Sequence, residues 1–246
     1  MFKKGFLSGN ALKIIAAVAM LSDHVGLLFF PHMEIFRIIG RIAFPIFAFM
    51  IAEGCKYTRN KARYFSMIFG LAFICQVVYY VFDKSLYMCV LVTFSLSILA
   101  LFALDNFKRV SFEKGEPLWR KVLAAWLFAA CIIFIYVLTL VIQIDYGFWG
   151  CMLPVFAGLL HMPKNCGSAL LKKMDNRYTA ILLLTLGLIP LMLKMGWVQP
   201  YSLLALVPLL LYSGERGKLK MKYFFYIFYP VHLALLEGIY ILIKLL

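Results

Sequence analysis

Apolar residues fill this chain in long blocks, punctuated by short polar stretches. The blocks lie near 11–31, 36–55, 64–82, 86–104, 121–142, 146–161, 178–194, 198–212 and 223–244. A helix needs about 20 apolar residues to cross the hydrocarbon core of a bilayer. The pattern therefore predicts an all-α, polytopic integral membrane helix bundle of about nine transmembrane helices. The sixth and eighth blocks are short for that purpose. The apolar–polar alternation of outer-membrane strands is absent, which argues against a barrel. Short joining stretches leave no room for a second domain, so 1–246 reads as a single transmembrane domain.

Composition points the same way. The chain is 64% apolar and 15% charged, where a soluble domain is roughly half apolar and about a quarter charged. Too little polar surface exists to cover a water-soluble globule. The first block follows Lys3 and Lys4 as a signal peptide would. However, Lys13, Asp23 and His24 interrupt it and no small-residue cleavage site follows, so it predicts a retained first helix.

The net charge of +14 would suit a nucleic-acid binder if it lay on one face. Instead, Lys and Arg gather at the N-terminus and in alternate loops. Those loops carry Lys56, Arg59, Lys61 and Arg63; Lys108, Arg109, Lys114, Arg120 and Lys121; Lys164, Lys172, Lys173 and Arg177; and Arg216, Lys218, Lys220 and Lys222. The loops between them are poor in charge. This is the positive-inside pattern of a multi-pass protein of the inner (plasma) membrane, with a cytoplasmic N-terminus and an external C-terminus. It predicts lipid as a partner and no nucleic acid. The six cysteines are scattered without metal-ligand spacing and read as small apolar fillers, so no metal is expected.

Against this background the ionisable residues at membrane depth stand out. Each costs several kcal/mol unless it faces protein or water, and such residues usually mark function. They are Lys13, Asp23, His24, Arg41, Glu53, His232 and Glu237. Lys13 and His24 lie within about 20° of one face of the first helix and about 16 Å apart along it. Asp23 is placed to orient His24 as a general base. Arg37 and Arg41 stand one turn apart at the outer start of the second helix. Arg37 is shallow enough to snorkel to head groups, whereas the deeper Arg41 is expected to pair with Asp23 or hold an anion. Pro45 is expected to kink that helix. Glu53 fits an interfacial salt bridge with Lys56 and Arg59. In the last block Lys222, Tyr223, Tyr226, Tyr229, Pro230 and His232 form a dense polar-aromatic group. There Pro230 frees the Tyr226 carbonyl, as happens where helices line a cavity.

The stretches "ALKIIAAVAMLSDHVG", "FRIIGRIAFPIFAFMIAEGCKYTRN" and "KYFFYIFYPVHLALL" closely resemble the TraX family, and the shared patterns run from the first helix to the last. TraX proteins are associated with N-terminal acetylation of conjugative pilin. The family is in turn similar to transmembrane acyltransferases such as acyltransferase family 3. Those carry a basic residue, ten residues and an essential histidine in an early helix, a spacing that Lys13 and His24 match.

The resemblance and the buried residues together imply an O- or N-acetyltransferase using acetyl-CoA as acyl donor. His24, Asp23 and Arg41 are its candidate catalytic residues. Lys13, Lys222 and Tyr226 are candidates for holding acetyl-CoA, and Arg37, Tyr229 and His232 for holding the acceptor, which is a pilin-like peptide, a glycan or a small molecule. A small-molecule or proton-coupled transporter would also need Asp, His and Arg in the membrane and is the alternative. A scaffold whose polar groups only join helices is the third reading.

Overall fold

A computed structural model describes residues 5–218 and 221–245; within these, the side chains of 82, 83, 222, 223 and 226 are not described. The candidate ligands Lys222 and Tyr226 therefore have side chains outside the described residues. The helices run in the order α1 (Gly9–Phe29), α2 (Glu34–Gly40), α3 (Ala43–Tyr57), α4 (Lys61–Asp83), α5 (Val90–Phe112), α6 (Leu118–Val141), α7 (Gly147–Gly158), α8 (Ala169–Met174) and α9 (Arg177–Lys194). A 3₁₀ helix (Gln199–Ala205), α10 (Leu206–Leu210) and α11 (Lys222–Leu245) complete the series. Extended pairing among the described residues is limited to two isolated bridges, Leu7 with Tyr212 and Met88 with Ile144.

Every expected apolar block contains a helix, but the expected count of nine crossings is not met by length. Among the described residues, seven stretches are long and apolar enough to cross a membrane: Gly9–Phe29, Glu34–Tyr57, Lys61–Val81, Val90–Phe112, Leu118–Val141, Arg177–Lys194 and Ile227–Leu245. The sixth and eighth blocks give the shorter apolar helices Gly147–Gly158 and Gln199–Leu210. The long helices make this an integral membrane protein. α6 illustrates why: Trp126, Ile133, Phe134, Leu140 and Val141 all point outward and need lipid as their solvent.

The second block is broken where its proline requires. Pro45 has no N–H to bond the carbonyl of Arg41 four residues earlier, and the helix unwinds at Arg41–Ile42 between α2 and α3.

The chain divides into two compact units, one of Met1–Met50, Phe73–Leu86 and Leu188–Leu246, the other of Ile51–Ala72 and Tyr87–Gly187. In the first, α1 packs against α2 and α11, and α2 against the 3₁₀ helix. α1 is started by Ser8, whose hydroxyl accepts from the Ala11 N–H. The carbonyls of Glu215 and Arg216 accept from the Gly9 and Asn10 N–H groups. α1 and α11 run in the same direction, because their ring and cation contacts ascend together: Lys13 with Phe225, His24 with His232, Phe29 with Tyr240.

In the second unit, α5 packs against α6 and α7. α7 lies parallel to α5. The Met88–Ile144 bridge joins their beginnings, the Ser97 hydroxyl donates to the Cys151 carbonyl midway, and Lys108 donates to the Gly158 and His161 carbonyls at the far end.

Candidate functional site

The first two blocks bring an ion cluster together. Asp23 is on the α1 face toward α2, where Gly40 lets the helices approach: a Cβ there would stand 2.3 Å from Asp23 Oδ1. Arg41 reaches the carboxylate through Nη2, 2.9 Å from Oδ1 and 3.2 Å from Oδ2. Arg37 donates to Oδ2 at 3.0 Å. Of the two expectations for Arg41, the pair with Asp23 is the one the structure shows. Arg37 is held by the same carboxylate, although a third of its side chain stays exposed. Arg41 also donates through Nε to the Arg37 carbonyl and through Nη1 to Gln199 Oε1, both at 3.4 Å.

His24 faces α11 and not the ion cluster. Its Nδ1 lies 3.2 Å from Nε2 of His232. His232 is buried, 5% exposed, and its Nδ1 lies 2.9 Å from the Phe228 carbonyl one turn back. A carbonyl only accepts, so Nδ1 of His232 carries the proton. In the neutral ring Nε2 is then an acceptor. The Nδ1 of His24 must donate to it, which makes Nε2 the acceptor nitrogen of the neutral His24 ring. The ring partner that fixes the tautomer is thus His232, and the Asp23 carboxylate faces the two arginines. Phe228 stacks on His232 at 4.9 Å and Tyr229 meets it edge-on at 5.4 Å.

Lys13 lies on the same α11-facing stripe, toward the start of α1. Its ammonium stands 5.7 Å from the centre of the Phe225 ring, and Arg216 is near enough for the two cations to repel. The structure accordingly separates the sequence-predicted residues into three groups: Asp23, Arg37 and Arg41; His24, His232 and Tyr229; and Lys13. Sequence reading missed Gln199, Ser202 and Arg216. The first two are neutral residues in an apolar stretch, whose signal is a spacing of three. Arg216 was absorbed into the count of loop charges.

A second polar cluster belongs to the other unit. Lys56 pairs with Asp175 at 2.6 Å, and Asp175 also accepts from the Met162 N–H. Lys61 pairs with Asp105. Glu53 stands 3.7 Å from Nε2 of His161; in place of the salt bridge expected with Lys56 and Arg59, it faces this ring while Lys56 pairs with Asp175. Burial, reinforced by Lys56 and Lys108, pushes the His161 pKa down to about 4 despite Asp175. Lys56, Cys55, Asp105, Lys108 and His161 line a cavity of about 30 Å³, room for a couple of water molecules. This cluster joins loops to helix ends. Among the described residues no three His, Cys, Asp or Glu side chains gather so as to hold a metal ion.

The family model described as TraX protein matches residues 8–240. A probable fimbrial assembly protein FimC, serogroup H1, of Dichelobacter nodosus is 29% identical, over 93% of this chain and 94% of its own length. An uncharacterized protein of Rickettsia prowazekii (strain Madrid E) is 44% identical over 54 residues, 22% of this chain and 21% of its own. No solved structure matches the chain.

Proposed function

The chain belongs to the TraX family, and from that premise we propose that it is a membrane-embedded acyltransferase. It moves an acetyl group from cytoplasmic acetyl-CoA to an amine or hydroxyl of an acceptor. The observation that carries the reading is the His24–His232 pair. His232, locked by the Phe228 carbonyl, holds His24 in the tautomer whose Nε2 is free to take a proton. That is the state a general base needs.

The acceptor's nitrogen or oxygen attacks the thioester carbonyl carbon while its proton passes to Nε2 of His24. The tetrahedral intermediate then collapses, the carbon–sulfur bond breaks, and the CoA thiolate leaves and takes up the proton from His24. The products are the acetylated acceptor and free CoA. When His24 becomes imidazolium, its Nδ1–H still donates to neutral His232, so the charge is met by a partner already in place. Asp23, fixed by Arg37 and Arg41, adds a nearby negative charge one residue away.

Lys13 lies eleven residues before His24 on the same stripe, about 16 Å along α1. This span suits a pantetheine arm reaching inward from phosphates bound by Lys13 and Arg216. The relative from Dichelobacter nodosus is named for fimbrial assembly, and the family resemblance is to proteins linked to pilin acetylation. We therefore favour a pilin-like amine as acceptor.

The test is calorimetric binding of acetyl-CoA to purified protein, beside transfer of labelled acetyl to envelope proteins. Wild type and His24→Ala should bind saturably and Lys13→Ala more weakly. Transfer should fall by at least about 100-fold in His24→Ala and by about tenfold or more in His232→Phe. A folded wild type that binds no acetyl-CoA overturns the reading. Flux of a small molecule in its place would favour the transporter.

A further inference from the structure

Gln199 and Ser202 sit in an otherwise apolar stretch that folds as a 3₁₀ helix. With three residues per turn, side chains at i and i+3 eclipse one another. Gln199, Ser202 and Ala205 are accordingly its buried stripe, at 1%, 0% and 0% exposure. The helix packs against α2, and the Gln199 carbonyl oxygen accepts from Arg41. The reverse amide orientation would set donor against donor. The Gln199 amide nitrogen is thus not the atom that meets Arg41, and both it and the Ser202 hydroxyl are enclosed without a hydrogen-bond partner among the described residues.

A buried donor left unmatched costs about 1–3 kcal/mol, whereas an apolar side chain of the same shape costs almost nothing. Two such groups on one stripe, beside an ion cluster, call for a ligand atom that accepts. The charges nearby already have partners: Arg41 spans both oxygens of Asp23 and Arg37 holds one of them. The remaining donors are neutral. They suit an oxygen that is neutral in the bound substrate and gains charge as the reaction proceeds.

We propose that the Gln199 amide N–H and the Ser202 O–H bind the acyl carbonyl oxygen of the thioester and form the oxyanion hole of this enzyme. The assignment rests on the acyltransferase reading. As the acceptor attacks, the carbonyl π electrons move onto this oxygen, where the two donors hold them. They return to re-form C=O as the C–S bond breaks. Arg41 is then a positioning residue, keeping the Gln199 carbonyl turned away so that the amide donates.

The test is infrared difference spectroscopy of carbonyl-¹³C acetyl-CoA bound to the purified protein, beside its acetyl-transfer rate. Wild type should show the thioester carbonyl stretch at lower frequency than free acetyl-CoA. Gln199→Glu keeps the oxygen that faces Arg41 and loses the N–H donors. It should lose most of that downshift, as should Ser202→Ala in part, with kcat reduced by about 100-fold and Kd changed far less. If Gln199 served only to hold Arg41, Gln199→Glu would behave as wild type, and that result overturns the inference. Ser202→Ala, a smaller change, covers the case in which Gln199→Glu fails to fold; wild-type spectrum and rate in it are equally fatal. A wild type that binds acetyl-CoA with an unshifted carbonyl overturns this assignment alone. One that binds no acetyl-CoA overturns the function with it.

Discussion

At Gly40, α2 passes so close to α1 that a Cβ would stand 2.4 Å from the Asp23 Cβ and 2.5 Å from its Cγ. These atoms are anchored to the backbone, so a larger residue must part the helices and loosen both arginines from the carboxylate. Gly40→Ala is expected to lower stability by about 1–3 kcal/mol, read as a drop in melting temperature in detergent; an unchanged melt would show that α1 and α2 separate freely. Much at this scale was legible in the sequence. Helical periodicity alone set Lys13 and His24 on one face, and the cost of charge at depth singled out Asp23 and Arg41 without deciding whether Arg41 pairs with Asp23 or holds an anion. The partner of His24 was not legible as such. His232 is 208 residues away, and only the fold shows that the two rings meet while Asp23, the sequence neighbour of His24, turns to the arginines. Gln199 and Ser202 escaped because neutral polar residues raise no alarm in an apolar run.

Among the elements, α7 depends on what caps its end. Lys108 of α5 donates to the Gly158 and His161 carbonyls at 3.1 Å each, answering the carbonyls a helix C-terminus leaves unpaired. His161, just past that end, is mostly enclosed, and desolvation holds its pKa near 4 against an ordinary 6.5. Between these values the unfolded chain binds the proton more readily than the folded one, so folding releases it. This stability is fully present above about pH 6.5 and is lost progressively as pH falls toward 4, by up to about 3 kcal/mol. Asp175 softens the loss; Lys56 and Lys108 sharpen it. The melting temperature in detergent should therefore fall across that window, and more steeply in wild type than in His161→Asn. Parallel pH profiles would assign the loss to other groups. The existence of each helix was readable from apolar blocks, and the break at Arg41–Ile42 from Pro45. The shortness of α7 follows from tertiary context: most of it is buried within its unit, so it needs no lipid-matched length of its own.

For the whole molecule, the direction of helices decides how many times the chain crosses. α1 and α11 are parallel, so an odd number of crossings must connect the side where α1 begins to the side where α11 ends. Seven long helices satisfy that parity, and so do seven plus both short ones; eight does not. Within its unit, α7 connects the level at which α5 begins, at the Met88–Ile144 bridge, to the level at which α5 ends, where Asn165 donates to the Arg109 carbonyl and to Glu113. A helix that shares both ends with a crossing helix is expected to carry the chain across with it, and were α7 to cross, parity would ask the same of Gln199–Leu210. The alternating loop charges agree, since this places Lys164, Lys172, Lys173 and Arg177 on the same side as Lys108, Arg109 and Lys114. Single cysteines at Lys114, Gln143 and Lys164, in a background with Cys55 and Cys131 replaced by alanine, provide the check. With a membrane-impermeant thiol reagent, Gln143→Cys should label in intact cells, and Lys114→Cys and Lys164→Cys only once the membrane is opened. Labelling of Gln143→Cys and Lys164→Cys from one side would mean that α7 turns back, and with it the basic loop that follows would lie outside.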